Sequence, residues 1–237
     1  PVVRSAEMVT VSALLVAAQH LKRRLREKMF EFVKNRFCQL SYQPAHSCLA
    51  QLSLAGRITT NFDPLIEFAH RTINGKDLEI LVPGDPFNMA RLDGSAWLLK
   101  LHGTFDRPDN IVLSTEDFDS IICDESAMLT VEDVFHNYTV LFVGYGLQDA
   151  DIMPVLRGLS RVFGNKTRRH YALVEESAFG LLMTEHLLEQ YHIQLIKYRK
   201  TGDAHPAVHY FWKSWLRCRC RVRRPICPRQ SCCCGAN

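Results

Sequence analysis

Two stretches of the chain, "AWLLKL" at 96–101 and "TVLFV" at 139–143, are nearly unbroken apolar runs of strand length. A strand with one wet face alternates apolar and polar residues. A run that is apolar throughout is what a strand covered on both faces looks like. Helices crossing over both sides of a parallel sheet supply that cover, and the rest of the chain fits the scheme. Strand-like segments at 56–60, 78–82, 110–114, 170–176 and 193–198 alternate with helix-like ones at 64–71, 116–135, 152–163, 177–191 and 206–216. Ahead of them, Leu14, Leu21, Leu25, Met29, Phe32 and Val33 recur at helical spacing across 7–37, predicting one long helix or two, and 44–52 reads as a short helix. The expected class is α/β: a doubly wound parallel sheet with helices on both faces and no internal repeat.

The 237 residues suffice for one large domain or two small ones with a substantial core. At 47% hydrophobic and 23% charged, the composition is that of an ordinary soluble globular protein. The longest uncharged apolar stretch, 8–21, is interrupted by Gln19 and His20 and is too short to span a bilayer. No secretory pattern opens the chain, so a cytoplasmic protein without membrane contact is expected. It begins with Pro1 rather than Met, which reads as a fragment or a processed product.

Net charge is +4, but residues 217–237 hold six arginines and no acid, leaving −2 on everything before them. A near-neutral body argues against specific nucleic-acid binding, and a basic tail attracts nucleic acid only non-specifically. Six of the nine cysteines lie in the same tail. Cys38, Cys48 and Cys123 are scattered through the body, which suits a reducing compartment rather than a disulfide framework. The division expected is a domain over 1–216 followed by an Arg/Cys-rich disordered tail over 217–237. Cys218-x-Cys220 and Cys232-Cys233-Cys234 lack the spacing with which a pair grips one zinc ion. His205 and His209, one helical turn apart, leave a metal site conceivable there, against the plainer reading of an unstructured tail.

Ligands of open parallel sheets sit beyond the carboxyl ends of the strands. Three unusual clusters fall there: Thr59-Thr60-Asn61-Phe62-Asp63, His102-Gly103-Thr104, and Gly144-Tyr145-Gly146 with Asp149 and Asp151 beyond it. If their strands are neighbours, one groove collects an amide, an imidazole, a carboxylate and a glycine-rich turn, a set that can hold a nucleotide and act on a sugar. Each cluster also has a structural reading. Asp63-Pro64 is an ordinary helix start, His102 a core histidine bonded to the backbone, and Gly144 and Gly146 the hinges of a tight turn. The coincidence of all three at one sheet edge favours a site.

With their order and separations, "ITTNFDPLIE", "LLKLHGTFDRPDNIVLSTEDF" and "LFVGYGLQDADI" resemble the sirtuin-like domains of prokaryotic-type NAD-consuming proteins, common in anti-phage defence. The resemblance covers about 40–216 and implies a Rossmann-like fold. It implies that NAD is the substrate, cleaved to nicotinamide and ADP-ribose, in a protein controlled by self-association or a companion domain. Carried over, it makes Asn61 the amide that positions the nicotinamide ribose or the attacking water, and His102 the general base. Asp63 would hold the nicotinamide amide, Gly144 and Tyr145 would line the adenosine end, and Thr60 and Gly146 would join the nucleotide contacts. The bond to be broken expels a good leaving group from an oxocarbenium-like sugar. Positioning and one proton acceptor are then most of what is needed, and imidazole suits the second task near neutral pH.

Two departures from the family pattern matter. The family's opening strand carries a Gly-Ala-Gly-x-Ser-type loop that cradles pyrophosphate, whereas residues 1–55 contain no glycine. The chain is therefore expected to be cut short before this loop or to have lost it, and a catalytically degenerate nucleotide-sensing or scaffold module is the alternative reading. The deacylases of this superfamily also carry two Cys-x-x-Cys pairs ahead of the third motif, whereas residues 103–143 hold only Cys123. No zinc is expected, and NAD-dependent protein deacylation becomes the weaker reading.

Overall fold

A computed structural model of the chain describes residues 11–25, 27–37, 40–85, 96–107, 110–122, 125–145, 147, 156–157, 168–200, 208 and 210–214. Helices α1 (Val11–Leu25), α2 (Glu27–Phe37) and α3 (Pro44–Gln51) lead into strand β1 (Arg57–Thr59), followed by α4 (Leu65–Asn74), β2 (Glu79–Leu81) and β3 (Trp97–Lys100). Helices α5 (Thr115–Ile122) and α6 (Glu125–Asn137) separate these from β4 (Leu141–Val143) and β5 (His170–Glu175). Helix α7 (Leu181–Tyr191) and strand β6 (Ile193–Tyr198) follow, and 210–214 are helical.

Among the described residues the strands form two three-stranded sheets, β1-β3-β2 and β4-β5-β6, and every pairing is parallel. Each sheet has its middle strand walled by two neighbours, and these middle strands are the most buried. All four residues of β3 are buried, as are Ala172, Leu173 and Val174 of β5. One core serves both sheets. Trp97, Leu99 and Leu101 from the first pack in the same cluster as Phe142, Ala172 and Val174 from the second, with Val131 and Phe135 of α6 and Leu187 of α7 as the cover. A smaller cluster of Cys48, Leu52 and Trp212 seats α3 and the last helical turn against Leu141. The α/β class with parallel sheets and flanking helices is as the hydropathy runs imply.

Polar contacts lock the frame. The β5 residue His170 is buried, and its Nδ1 accepts the Val140 N–H at 3.2 Å, pinning the entry to β4 against β5. Burial, reinforced by the positive neighbours His192 and Arg168, lowers the imidazole pKa to about 4. The Asp117 carboxylate accepts the Leu113 and Ser114 amides at 3.1 and 3.0 Å, while Ser114 Oγ accepts the Asp117 N–H, closing a capping box at the start of α5. Lys22 of α1 adds a 2.6 Å ion pair to the same carboxylate. Burial alone would raise the Asp117 carboxyl, but the hydrogen bonds from Lys22, Leu113 and Ser114 outweigh it and hold the pKa below the usual value.

Several expectations need correction. Segment 110–114 is not a strand. Ile111 and Val112 are buried as expected of one, but the segment's amides bond to the His102 carbonyl and the Asp117 carboxylate rather than to a ladder. The helix expected over 116–135 is two helices, α5 and α6. In α1 the apolar positions Leu14, Leu21 and Leu25 are exposed, and so is Phe32 of α2. The half-buried positions of α1 are Leu15, Ala18, Gln19 and Lys22 instead, the face on which Lys22 meets Asp117. Of the helix expected at 152–163 only Leu156 and Arg157 are described, and both are helical. The tail at 217–237, with His205, His209, Asp149 and Asp151, lies outside the described residues. No described helix is long and apolar enough to cross a membrane.

Candidate functional site

Because β1 and β3 run parallel with Thr59 opposite Lys100, the chain leaves both strands on the same side and at the same level. The two emerging loops are stitched together. The Leu101 N–H donates to the Thr59 carbonyl at 2.9 Å and the Phe105 N–H to the Phe62 carbonyl at 3.0 Å. Asn61 is exposed at the tip of the first loop, its backbone N–H held by Thr59 Oγ1 at 3.1 Å, with Thr60 half-buried beside it. Phe62 turns back, meeting Phe37 of α2 edge to face at 4.8 Å. Asp63 closes the loop by accepting the Leu65 N–H at 3.1 Å, so one of its carboxylate oxygens serves the start of α4. That is the capping role its place before Pro64 implied, although the helix itself starts one residue beyond the proline.

His102 heads the second loop, half-buried, and its carbonyl accepts the Val112 N–H at 3.1 Å. The turn beneath it requires glycine. Gly103 has φ +78°, and a Cβ there would lie 1.8 Å from the Asn110 carbonyl oxygen. Nothing but hydrogen fits, because the obstacle is backbone rather than a side chain able to swing away. The loop after β2 joins the loop after β3 through Asp85, which accepts from Arg107 at 3.1 and 3.2 Å.

Under both motif loops sits a charge that an apolar strand does not advertise. The Lys100 side chain is fully buried, and its ammonium donates to the Phe62 carbonyl at 3.3 Å, the Asp63 carbonyl at 2.6 Å and Glu67 Oε1 at 2.6 Å. The carboxylate's other oxygen, Oε2, is buried with no hydrogen-bond partner among the described residues.

The third cluster stands on the other sheet. Gly144 and Tyr145 leave the carboxyl end of β4, which pairs with β5 and not with β1 or β3 among the described residues. Gly144 has φ +64° with open space around it. The Tyr145 ring stacks on Phe142 at 6.0 Å and packs against the common core. Gly146 lies outside the described residues. The structure thus brings the Asn61, Asp63 and His102 loops side by side, while Gly144 and Tyr145 follow the same end of a strand in the neighbouring sheet. No group of three or more His, Cys, Asp or Glu among the described residues is disposed to hold a metal ion.

A family model described as "SIR2-like domain" matches residues 56–196, from the glycine before β1 into β6, and spans all three clusters. The chain belongs to the SIR2-like domain family. A relative named NAD(+) hydrolase ThsA from Cytobacillus dafuensis is 24% identical over 178 residues, covering 73% of this chain and 36% of the relative. A protein of the same name from Acinetobacter baumannii (strain 532279) is 24% identical over 171 residues, covering 72% and 35%. Defense-associated sirtuin 2 of Bacillus subtilis is 28% identical over 144 residues, 57% of this chain and 14% of that one. The chain spans about a third of the length of these two hydrolases. The family match of this SIR2-like chain runs from β1 into β6 and so takes in both parallel sheets and their strand-end loops.

Lys100 and Glu67 are the residues that sequence reasoning passed over. The signal was present: a single cation inside "AWLLKL", a run whose strand must be covered on both faces, has to find an acidic or carbonyl partner. The partner's identity was not legible, because Glu67 lies 33 residues away in the first turn of α4.

Proposed function

We propose that this SIR2-like domain hydrolyses NAD at the bond between nicotinamide and ribose, releasing nicotinamide and ADP-ribose, as part of a defence protein. The observation that carries the proposal is the stitched pair of loops presenting Asn61 and His102 from adjacent parallel strands in a chain of this family. In this reading Asn61 orients the ribose or the incoming water, and His102 accepts a proton from that water. The water oxygen bonds to the anomeric carbon while the carbon–nitrogen bond breaks, and nicotinamide departs neutral with the bonding electrons. Positioning of water and sugar accounts for most of the acceleration, and one proton acceptor for the rest. Thr60 and Asp63 take the nicotinamide side, Asp63 through whichever oxygen is not engaged with Leu65. Gly144, Tyr145 and Gly146 take the adenosine side, and control comes from self-association or a companion domain.

The test is incubation of the full chain with NAD and chromatographic detection of nicotinamide, beside Asn61→Ala and His102→Ala. Loss of release in both variants at unchanged melting temperature is expected. Turnover equal to the parent's in both would remove these roles. A second reading is a domain that keeps the fold without the chemistry, as a nucleotide sensor or a scaffold, motivated by residues 1–55 holding no glycine for a family-type phosphate loop. Calorimetric binding of NAD or ADP-ribose without nicotinamide release would select the sensor.

A further inference from the structure

Lys100 reaches both motif loops. Its carbonyl accepts the Gly103 N–H at 3.0 Å and so closes the turn under His102, while its ammonium holds the Phe62 and Asp63 carbonyls of the Asn61 loop. An ammonium has three N–H donors, and three acceptors surround this one. It is therefore unavailable to a ligand. Nor is its place favourable for stability alone. The charge is removed from water and sits at the start of α4, the positive end of the helix dipole. A buried ion pair is weak support for stability, since well-packed apolar residues often do as well. Glu67, in the first turn of the same helix, answers both problems with one oxygen, while its Oε2 is left without a hydrogen-bond partner among the described residues. Two contacts to one loop, a third to the helix behind it and a main-chain contact to the next loop are what a geometric tie requires.

We infer that the buried Lys100–Glu67 pair is a positioning device for the NAD-cleaving site, setting the Asn61 loop against the His102 turn without touching substrate. The inference rests on the function proposed above. Its expected mark is on turnover rather than on substrate binding, because a misplacement of about 1 Å between reacting groups lowers rate roughly a hundredfold.

The experiment uses the full chain and the double variant Lys100→Met/Glu67→Leu, which removes both charges and keeps the volume filled. The fold should survive, with melting close to the parent's. The expected result is kcat lower by about a hundredfold with KM within a few-fold. Amide hydrogen exchange across 61–65 should be faster by roughly tenfold, while that of β5 and β6 stays unchanged. Lys100→Met/Glu67→Gln, which also removes the donor to the loop carbonyls and leaves no unpaired charge, gives the same comparison should the first double variant fail to fold. Unchanged exchange at 61–65 in a folded variant overturns the inference, and so does quickened exchange with unchanged kcat. If the parent itself releases no nicotinamide, the proposed function fails, and the exchange comparison still decides whether the pair holds the loop.

Discussion

Acid should loosen this fold at one histidine before it reaches most carboxylates. His170 is 2% exposed, holds the Val140 N–H on Nδ1, and meets Phe135 edge-on at 5.1 Å. Its pKa falls from 6.5 to about 4, first through burial and then through His192 and Arg168. In the native state the ring stays neutral down to that value, while in the unfolded chain it takes a proton below about 6.5. Between these limits the unfolded state binds the extra proton, so stability falls as pH drops. The contribution is intact above 6.5 and gone below about 4. The separation of roughly 2.5 units corresponds to about 3 kcal/mol in all, of which about 2 kcal/mol is lost between pH 7 and pH 5. Urea melts at pH 7 and pH 5 measure it, with His170→Asn as the reference. Asparagine keeps an acceptor for the Val140 amide and has no titrating ring. The parent should lose about 2 kcal/mol more than the variant over this interval. Parallel losses in parent and variant would show that the ring is protonated in the fold and refute the reasoning.

Two further substitutions probe the loops. Gly103→Ala should lower stability by about 3 kcal/mol in a denaturant melt, through a left-handed backbone and a methyl driven into the Asn110 carbonyl. It should also abolish nicotinamide release, since His102 rides on that turn; an alanine variant of parental stability would contradict the geometry. Asp63→Ala should cost about 1 kcal/mol by freeing the Leu65 N–H, whereas Asp63→Asn keeps the cap and the melting temperature. Turnover of NAD should fall in both, and normal turnover in the asparagine variant would leave Asp63 a helix cap only.

Much of the candidate site was legible because its residues are local to strand ends. Thr60, Asn61 and Asp63 follow the short strand β1, and His102 and Gly103 follow the apolar run 96–101, whose end hydropathy locates. Asp63 shows how two readings of one residue can hold together. The sequence offered a cap or a ligand, and the structure uses one oxygen for the cap while a carboxylate has two. The segment 110–114 shows the opposite case. Its apolar residues are buried, yet burial does not say who pairs with the backbone, and here the partners are a carbonyl and a carboxylate.

Helix α1 failed in a different way: Leu14, Leu21 and Leu25 share a face by period, but the face that packs is the one bearing Lys22. An ion pair to Asp117 outside the helix chose the orientation, and no periodicity within 11–25 records it.

Composition and hydropathy alone determined that helix-covered parallel strands would form, roughly where most of them would end, and which chemical groups would stand at those ends. These follow from transfer of short runs out of water, a property each run carries in itself. Val143 of the apolar run 139–143 is nonetheless exposed, and 110–114 is no strand. Tertiary structure decided that β1 and β3 are neighbours while β4 belongs to the other sheet. It also decided that a lysine in the most buried strand reaches a glutamate on α4, and that a histidine in β5 is kept from its proton. Strand order and the partner of a buried charge depend on groups distant along the chain, and no local pattern encodes them.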